Sequence, residues 1–250
     1  MRWSEHQIAM LREMGVRVWG APPEEEAPVF AAMVEETVAS APLSTPSAPP
    51  SHAPASPVGT LDWPALREAV AACTACKLCE SRRQTVFGVG HTRAHWMIVG
   101  EAPGEQEDRQ GEPFVGKSGQ LLDNMLRAIQ LTRGDAAEPA HQVYIANTLK
   151  CRPPGNRNPL PDELAKCEAF LIRQVQLLQP KIILAMGAFA VQSLLRSTEP
   201  VGRLRGRVHH YQGVPLIVTY HPAYLLRNPV DKAKAWDDLC LAVETARPAA

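Results

Sequence analysis

The chain has 250 residues, and its 26 basic and 26 acidic side chains give it no formal net charge. A neutral total argues at first against a nucleic-acid partner, but the charge is unevenly distributed. Residues 1–62 hold three basic and eight acidic side chains, a balance of −5, so residues 63–250 carry +5.

The apolar pattern excludes the membrane-spanning classes. The longest apolar stretch, residues 182–195, is interrupted by Gln192 and Ser193 and falls short of the roughly 18 to 20 residues that a spanning helix needs. Residues 1–7 lack the basic start and apolar run of a secretory signal. We therefore expect a cytoplasmic protein with no membrane contact, in which six cysteines favour metal or redox chemistry over disulfides.

The sequence of residues 1–62 predicts two segments, neither of which has a hydrophobic core. Apolar side chains at helical spacing in residues 4–18 predict a short amphipathic helix within residues 1–20. This helix either docks on its own domain or binds a protein partner. Residues 21–64 hold ten prolines and an acidic run at residues 24–26, so we predict a disordered, acidic tether over residues 21–62.

After Trp63, short apolar runs alternate with longer amphipathic ones. Four continuous apolar runs predict strands buried on both faces, at residues 95–99, 143–146, 181–186 and 215–220. Four helices are predicted at residues 118–130, 161–178, 188–195 and 230–246. This order predicts one domain, residues 63–250, built as a three-layer α/β/α sandwich around a central, mostly parallel four-stranded sheet.

Unusual tracts follow every predicted strand. They are Gly100-Glu-Ala-Pro-Gly104, Asn147 with Cys151-Arg-Pro-Pro154, Gly187, and His221-Pro-Ala-Tyr224. Each alone could be a plain turn. Because ligands bind beyond the carboxyl ends of the strands in such sheets, the four together predict a binding site there.

The cysteines form a second group of candidate functional residues. Cys73 and Cys76 are spaced as a metal-binding pair, and Cys151 and Cys167 could complete four thiolates. Cys79 competes for the same place, whereas the sixth cysteine, at position 240, lies on an amphipathic helix and suits a core. Spacing alone leaves zinc, iron–sulfur and reduced structural cysteines open.

Four motifs, in order, resemble those of the family 4 uracil-DNA glycosylases, which carry an iron–sulfur cluster. They are Gly100-Glu-Ala-Pro-Gly104 with Glu107-Asp108, Gly111-Glu-Pro-Phe-Val-Gly116, Asn147-Thr-Leu-Lys-Cys-Arg-Pro-Pro154, and Tyr220-His-Pro-Ala-Tyr-Leu-Leu-Arg227. The resemblance runs from about Leu66 to the last helix. It implies a DNA repair hydrolase that flips uracil out of DNA, cleaves its N-glycosidic bond and leaves an abasic site.

The same resemblance implies a cofactor and a partner. A [4Fe-4S] cluster would be held by Cys73, Cys76, Cys151 and Cys167, with Cys79 as a spare thiol. In the family the cluster is structural and lies close to DNA. The implied partner is uracil-containing DNA, single- or double-stranded, bound by a protein that we expect to be a monomer.

The resemblance also assigns roles around the base. Phe114 would stack on uracil, and Asn147 would read its edge with an amide donor and acceptor. His221 would stabilise charge that develops on a uracil oxygen.

The remaining site residues lie in the first motif and just after it. Glu101 and Glu107 are the expected catalytic carboxylates, and Glu107 either orients water or excludes thymine. Gly100, Ala102 and Gly104 would let the backbone approach the substrate. Ala102 and Gly104 stand where family 1 enzymes have an aspartate and a tyrosine, so those two family 1 roles do not transfer.

DNA contacts are expected from arginines and from one leucine after the fourth motif's histidine, either Leu225 or Leu226 acting as a wedge. The candidate residues are Arg152, Arg203, Arg205, Arg207, Leu225 and Arg227.

Three other interpretations compete. A nucleotide-binding oxidoreductase is disfavoured because Gly100-x3-Gly104 lacks the GxGxxG spacing. A non-catalytic iron–sulfur DNA-binding relative would not need the acid, amide and imidazole of the motifs. A covalently trapping relative carries an additional histidine loop, which residues 147–159 lack, so we expect turnover.

Overall fold

Six strands form one sheet in the computed structural model, which describes residues 57–134 and 138–247. The strands are β1 (Val89–Gly90), β2 (Trp96–Gly100), β3 (Val143–Asn147), β4 (Ile182–Met186), β5 (Val208–Tyr211) and β6 (Val214–Thr219). Their order across the sheet is β1-β3-β2-β4-β6-β5. The central four are parallel, while β1 and β5 pair antiparallel at the two edges.

Helices connect and cover these strands. The α-helices among the described residues are α1 (Trp63–Ala71), α2 (Leu78–Ser81), α3 (Glu105–Gln110), α4 (Lys117–Ala128), α5 (Pro161–Leu178), α6 (Ala188–Leu195), α7 (Val201–Leu204), α8 (Pro222–Arg227) and α9 (Lys232–Ala246). Short 3-10 turns occupy Pro57–Thr60, Pro139–His141, Pro154–Asn156 and Pro229–Asp231. None of the described helices is long and apolar enough to cross a membrane.

The sheet separates two cores, as the predicted three-layer sandwich requires. Every residue of β2, β3 and β4 is buried. Side chains alternate between the faces, so Val99 packs in the cluster that contains Leu171 of α5. Its neighbour Ile98 packs on the other face in the cluster that contains Leu122 of α4 and Leu239 of α9. The prediction of strands buried on both faces is confirmed for β2, β3 and β4, and for β6 from Leu216 to Thr219.

The predicted count of four strands needs correction, because the sheet has two more. The four predicted strands are the parallel centre, whereas β1 and β5 are edge strands without an apolar run. β1 has only two residues, and in β5 only Tyr211 is fully buried. An edge strand is only partly buried and does not need a continuous apolar sequence. The hydrophobic pattern of the chain therefore does not reveal it.

The described structure begins inside the predicted tether. Pro57–Thr60 forms a 3-10 turn, Leu61 packs against a small core with Leu66 and Phe170, and Arg173 Nε donates to the Leu61 carbonyl at 2.6 Å. Residues 57–62 are therefore part of the packed structure and not of a disordered tether. The predicted helix and the rest of the tether lie outside the described residues.

Candidate active site and cysteine cavity

A cavity of about 690 Å³ opens at the carboxyl ends of the parallel strands. Its lining includes Glu101 after β2, Asn147 at the end of β3, Gly187 after β4 and His221 after β6. Phe114, from the loop between α3 and α4, completes the wall. The four strand ends named by sequence thus meet in one place, as parallel topology demands.

His221 is held as a neutral hydrogen-bond donor. It caps α8, and its Nδ1 accepts a hydrogen bond from the backbone N–H of Ala223 at 3.1 Å. Because Nδ1 acts as an acceptor, the proton of the neutral ring resides on Nε2. Burial lowers the pKa of His221 to about 4, with a further lowering by Arg227 and an opposing effect of Glu107.

Phe114 and Asn147 converge on Gly100. A Cβ at Gly100 would lie 2.6 Å from Cζ of Phe114 and would also clash with Oδ1 of Asn147. Only glycine therefore lets the ring and the amide approach together at this strand end. Asn147 is 3% exposed, and the Phe114 ring stacks on His221 with centroids 5.3 Å apart.

The Phe114 backbone adopts a conformation that is unfavourable for a bulky side chain. Its φ is +56°, in the left-handed region. Two contacts hold it there: Arg133 Nη1 donates to the carbonyls of Pro113 and Phe114 at 3.0 and 3.1 Å, and Gly119 of α4 leaves room for the Phe114 carbonyl. Strain that the surroundings enforce in this way is common at ligand sites.

The two expected catalytic carboxylates lie in different surroundings. Glu101 is half-buried in the cavity, and burial raises its pKa to about 7. Both oxygens of Glu107 accept backbone hydrogen bonds, from Gly104 and from Val115, each at 3.1 Å. Glu107 therefore ties the loop after β2 to the loop that carries Phe114, and this arrangement favours a positioning role over either of the two expected ones.

Ala102 and Gly104 lie in the same cavity wall, next to Glu101. A Cβ at Gly104 would lie 2.8 Å from Oε2 of Glu107. The absence of a side chain here keeps the Glu107 hydrogen bond intact.

Two of the expected DNA-binding residues need correction. Arg205 has a side chain that is 16% exposed and is paired with the buried Asp238: its Nε donates to Oδ2 at 3.0 Å and its Nη2 lies 2.9 Å from Oδ1. Its Nη2 also donates to the Lys234 carbonyl, and the guanidinium lies over the Tyr220 ring, 6.0 Å from the ring centroid, so the side chain is engaged within the protein. Leu225 is 1% exposed, whereas Leu226 is 44% exposed, so of these two leucines only Leu226 presents its side chain to the surface.

Of the other expected arginines, only Arg227 is among the residues that line the cavity, and it is exposed. Arg203 is exposed on α7, next to the lining residue Gly202. Arg152 is engaged by Asn156, to which its Nε donates at 2.7 Å, and by Glu105, whose Oε2 lies 3.6 Å from its Nη2. Arg207 lines a different pocket beside β5.

Five cysteines line a second cavity, between α1, α2, the loop after β3 and α5. They are Cys73, Cys76, Cys79, Cys151 and Cys167. No three of the described histidine, cysteine or carboxylate side chains form a group that could hold a single metal ion. The four cysteines expected from the resemblance fit a cluster by number and by donor chemistry, since each iron of a [4Fe-4S] cluster takes one thiolate.

Hydrogen bonds to sulfur support this fit. Arg82 Nη1 donates to Sγ of Cys151 at 3.1 Å, and the backbone N–H of Lys150 donates to Sγ of Cys167 at 3.3 Å. Donors directed at cysteine sulfurs are a recurrent feature of iron–sulfur sites.

Sequence reasoning missed Lys150, a lysine that is 1% exposed. Its Nζ donates to the carbonyl of Asn147 and to Oε1 of Gln174. Burial lowers its pKa to about 8, while the neighbouring Cys167 and Cys151 raise it. The available signal was a lysine three residues after the end of a buried strand and directly before the candidate metal ligand Cys151.

Comparisons with known proteins agree with this geometry. The model of the uracil DNA glycosylase superfamily matches residues 87–240. A type-4 uracil-DNA glycosylase of Archaeoglobus fulgidus is 40% identical over 168 residues, covering 64% of this chain and 81% of the relative. Similar relatives named type-4 uracil-DNA glycosylase come from Thermotoga maritima, at 42% identity over 64% of this chain and 81% of the relative, and from Pyrobaculum aerophilum, at 39% over 72% and 93%.

Proposed function

The chain belongs to the uracil-DNA glycosylase superfamily, and from that membership we propose how its site removes uracil from DNA. The activity is hydrolysis of the N-glycosidic bond of uracil in DNA repair, in line with relatives named type-4 uracil-DNA glycosylase. The observation that carries the proposal is the meeting of an amide, an aromatic ring, a neutral imidazole and a high-pKa carboxyl in one cavity, namely Asn147, Phe114, His221 and Glu101.

Recognition requires that the nucleotide leave the helix, because the glycosidic bond is inaccessible in a stacked duplex. In the cavity, the buried amide of Asn147 offers a donor and an acceptor to the uracil edge. Phe114 offers a ring face for stacking. Phe114 and His221 are neighbours in the cavity wall, with ring centroids 5.3 Å apart, so a base that stacks on Phe114 comes next to the imidazole of His221.

Bond cleavage places negative charge on the departing uracil. The Nε2–H of His221 donates to the uracil oxygen on which this charge grows, and the low pKa keeps the ring neutral across the physiological range. A preorganised neutral donor suffices here, because it needs no reorganisation as charge develops.

The sugar end of the bond becomes electron-poor as the base departs. Ionised Glu101 balances that positive charge and accepts a hydrogen bond from the water that adds to the sugar carbon. The proton of this water passes to the carboxylate as the new carbon–oxygen bond forms. The uracil anion takes up a proton from solvent and Glu101 returns its proton to solvent, so that the products are free uracil and an abasic site.

DNA binding relies on residues at the cavity rim. Arg227 and Arg203 are exposed and suit phosphate contacts, and Arg152 becomes available if it exchanges Asn156 for a phosphate. Leu226 at the end of α8 fills the space that the flipped base leaves. Arg207 is a more distant backbone contact.

The cysteine cavity suits a [4Fe-4S] cluster on Cys73, Cys76, Cys151 and Cys167. When bound, such a cluster supplies cross-linking between the α1–α2 segment and the loop after β3, and no redox step in base release. Iron and acid-labile sulfide analysis of anaerobically purified protein tests this, and stoichiometric zinc would contradict it.

Three further expectations remain proposals. The protein acts as a monomer, it works in the cytoplasm, and residues 1–20 bind a protein partner. They follow from the sequence pattern described above.

Mutation of the donor and of the amide tests the proposed function. His221→Ala and Asn147→Ala should each slow uracil release by more than tenfold, because loss of one preorganised donor typically costs about 3 kcal/mol, or roughly two orders of magnitude. The measurement is single-turnover release of free uracil from a labelled single strand and from U·G and U·A duplexes.

Matched controls are His210→Ala and Asn124→Ala, which alter exposed residues outside the cavity and should release uracil at wild-type rates. Wild-type release by both site variants would refute the assignment. A DNA–protein adduct stable to denaturation would point to the trapping relative instead.

A further inference from the structure

Lys150 carries a buried ammonium group with no carboxylate partner among the described residues, and the acidic groups that act on it are the thiols of Cys167 and Cys151. Its Nζ donates to the Asn147 carbonyl at 2.8 Å and to Oε1 of Gln174 at 2.6 Å. No described ion pair includes it. A buried cation is tolerated only where hydrogen bonds compensate its lost hydration, so these two oxygens are strongly held.

Gln174, which accepts one of these hydrogen bonds, is itself held in place by its other hydrogen bonds. It is fully buried on α5, and its Nε2 donates to the Phe87 carbonyl at 2.9 Å and to the Tyr144 hydroxyl at 3.2 Å. All of its polar atoms therefore have partners. A fully satisfied buried network permits one arrangement and resists others.

The main chain of Lys150 lies against the cysteine cavity. Its N–H donates to Sγ of Cys167, and its carbonyl accepts from the N–H of Val86 at 2.8 Å. The next residue, Cys151, accepts from Arg82. One residue thus contacts the cysteine wall through its backbone and the uracil-reading residue through its side chain.

Asn147 needs such support because it stands where β3 ends. Its register partner is Gly100, and the chain then turns, with the N–H of Thr148 donating to the Gly100 carbonyl. The Lys150 ammonium holds the peptide plane between Asn147 and Thr148. The direction of the Asn147 amide depends on that plane.

We propose that Lys150 is a positioning residue for uracil recognition, which sets the geometry of Asn147 from the wall of the cysteine cavity. The inference rests on the proposed role of Asn147. Lys150 itself does not touch the base.

Lys150→Met tests the proposal because methionine is similar in length but cannot donate a hydrogen bond. We expect about a tenfold or greater weakening of inhibition by free uracil and a similar loss in kcat/KM, since a displaced Asn147 affects bound base and transition state alike. Affinity for abasic-site DNA, which lacks the base, should be unchanged. Iron per chain and the unfolding temperature report separately on the cysteine cavity and on folding.

A double-mutant cycle separates positioning from general structure. In an Asn147→Ala background, Lys150→Met should add little further loss of uracil affinity, because both changes remove the same interaction. An independent structural defect would add its full effect and overturn the proposal. Lys181→Met, at an exposed lysine before β4, is the matched control and should behave as wild type.

Gln174→Leu provides a second route should Lys150→Met fail to fold. It removes one of the two ammonium acceptors without touching uracil or a cysteine, so a severalfold loss of uracil affinity is expected in the same direction. Wild-type uracil inhibition in Gln174→Leu, or in folded Lys150→Met, overturns the inference. If Asn147→Ala itself binds uracil normally, the proposed role of Asn147 fails, and the inference about Lys150 fails with it for that separate reason.

Discussion

Glu101 and His221 face the same cavity, and burial drives both toward their neutral forms. The carboxyl is shifted upward to a pKa of about 7 and the imidazole downward to a pKa of about 4. At mildly acidic pH both side chains are therefore uncharged in the free enzyme. Catalysis as proposed needs the carboxylate and the neutral imidazole together, a combination that becomes the main form as pH rises above about 7.

The pH dependence of kcat/KM should therefore have one limb in the physiological range. Activity should rise with pH around a midpoint near 7, as Glu101 ionises, with no histidine limb between pH 5 and 8. In Glu101→Gln, kcat/KM should be low and should no longer change with pH over this range. An unchanged limb in Glu101→Gln would assign it to another group.

The same shift has a consequence for stability. A carboxyl whose pKa is raised on folding keeps its proton longer in the folded state, so its contribution falls as pH rises from about 4.5 to 7. Glu101→Gln should accordingly raise the unfolding temperature at pH 8 and leave it unchanged at pH 4. Thermal unfolding at the two pH values checks the sign.

At the scale of elements, α8 presents adjacent leucines to opposite environments. Leu225 packs inside and Leu226 faces solvent at the cavity rim. The sequence pattern cannot distinguish the two leucines, because the helix has only six residues. Its contacts with the rest of the fold determine which of its faces is buried. The fold decides which leucine meets DNA.

Leu226→Ala should lower uracil release from U·A duplexes by about tenfold and affect single strands far less, since only a duplex must be held open. Leu225→Ala should instead destabilise the fold by roughly 2 to 5 kcal/mol without changing the preference between substrates. Rates on paired oligonucleotides and urea unfolding distinguish the two. Equal losses on single and double strands for Leu226→Ala would exclude a wedge.

Sequence predicted the four central strands, which are apolar runs, and missed the two edge strands, which are not. α5 was predicted with its observed bounds, because Pro161 suits the first helical turn and Glu163 accepts from the Leu160 N–H. β1 and β5 carry no such signal. The site residues at strand ends were found because parallel topology gathers them.

Contacts over long sequence distances could not be predicted from pattern. Arg205 looks like a phosphate ligand until Asp238, 33 residues away, is seen to pair with it. Likewise, the role proposed for Lys150 depends on its hydrogen bond to Gln174, which lies in the middle of α5 and 24 residues away in sequence.

For the whole molecule, the neutral total charge hides an acidic segment attached to a basic domain. Residues 1–56 hold three basic and seven acidic side chains. Such a segment weakly opposes phosphate binding at low ionic strength, where screening is weak. This effect changes the affinity for DNA and not the rate of glycosidic bond cleavage.

Removal of residues 1–56, which preserves the packed turn at Pro57–Thr60, should therefore tighten DNA binding severalfold at about 50 mM salt and not at several-fold higher salt. Fluorescence anisotropy across a salt series measures this. A full-length variant with glutamine at residues 24–26 should show part of the gain. Identical affinities at low salt would dismiss electrostatic competition.

The cysteine cavity also constrains how the protein is made. Cys73 and Cys76 precede β1, while Cys151 and Cys167 follow β3, so β1, β2 and β3 all lie in the chain segment between the two pairs. An inorganic group held by both pairs would close a loop that contains three of the six strands, and this loop could close only after Cys167 has been synthesised. Closing it would restrict the unfolded chain, so binding of the group would also stabilise the fold.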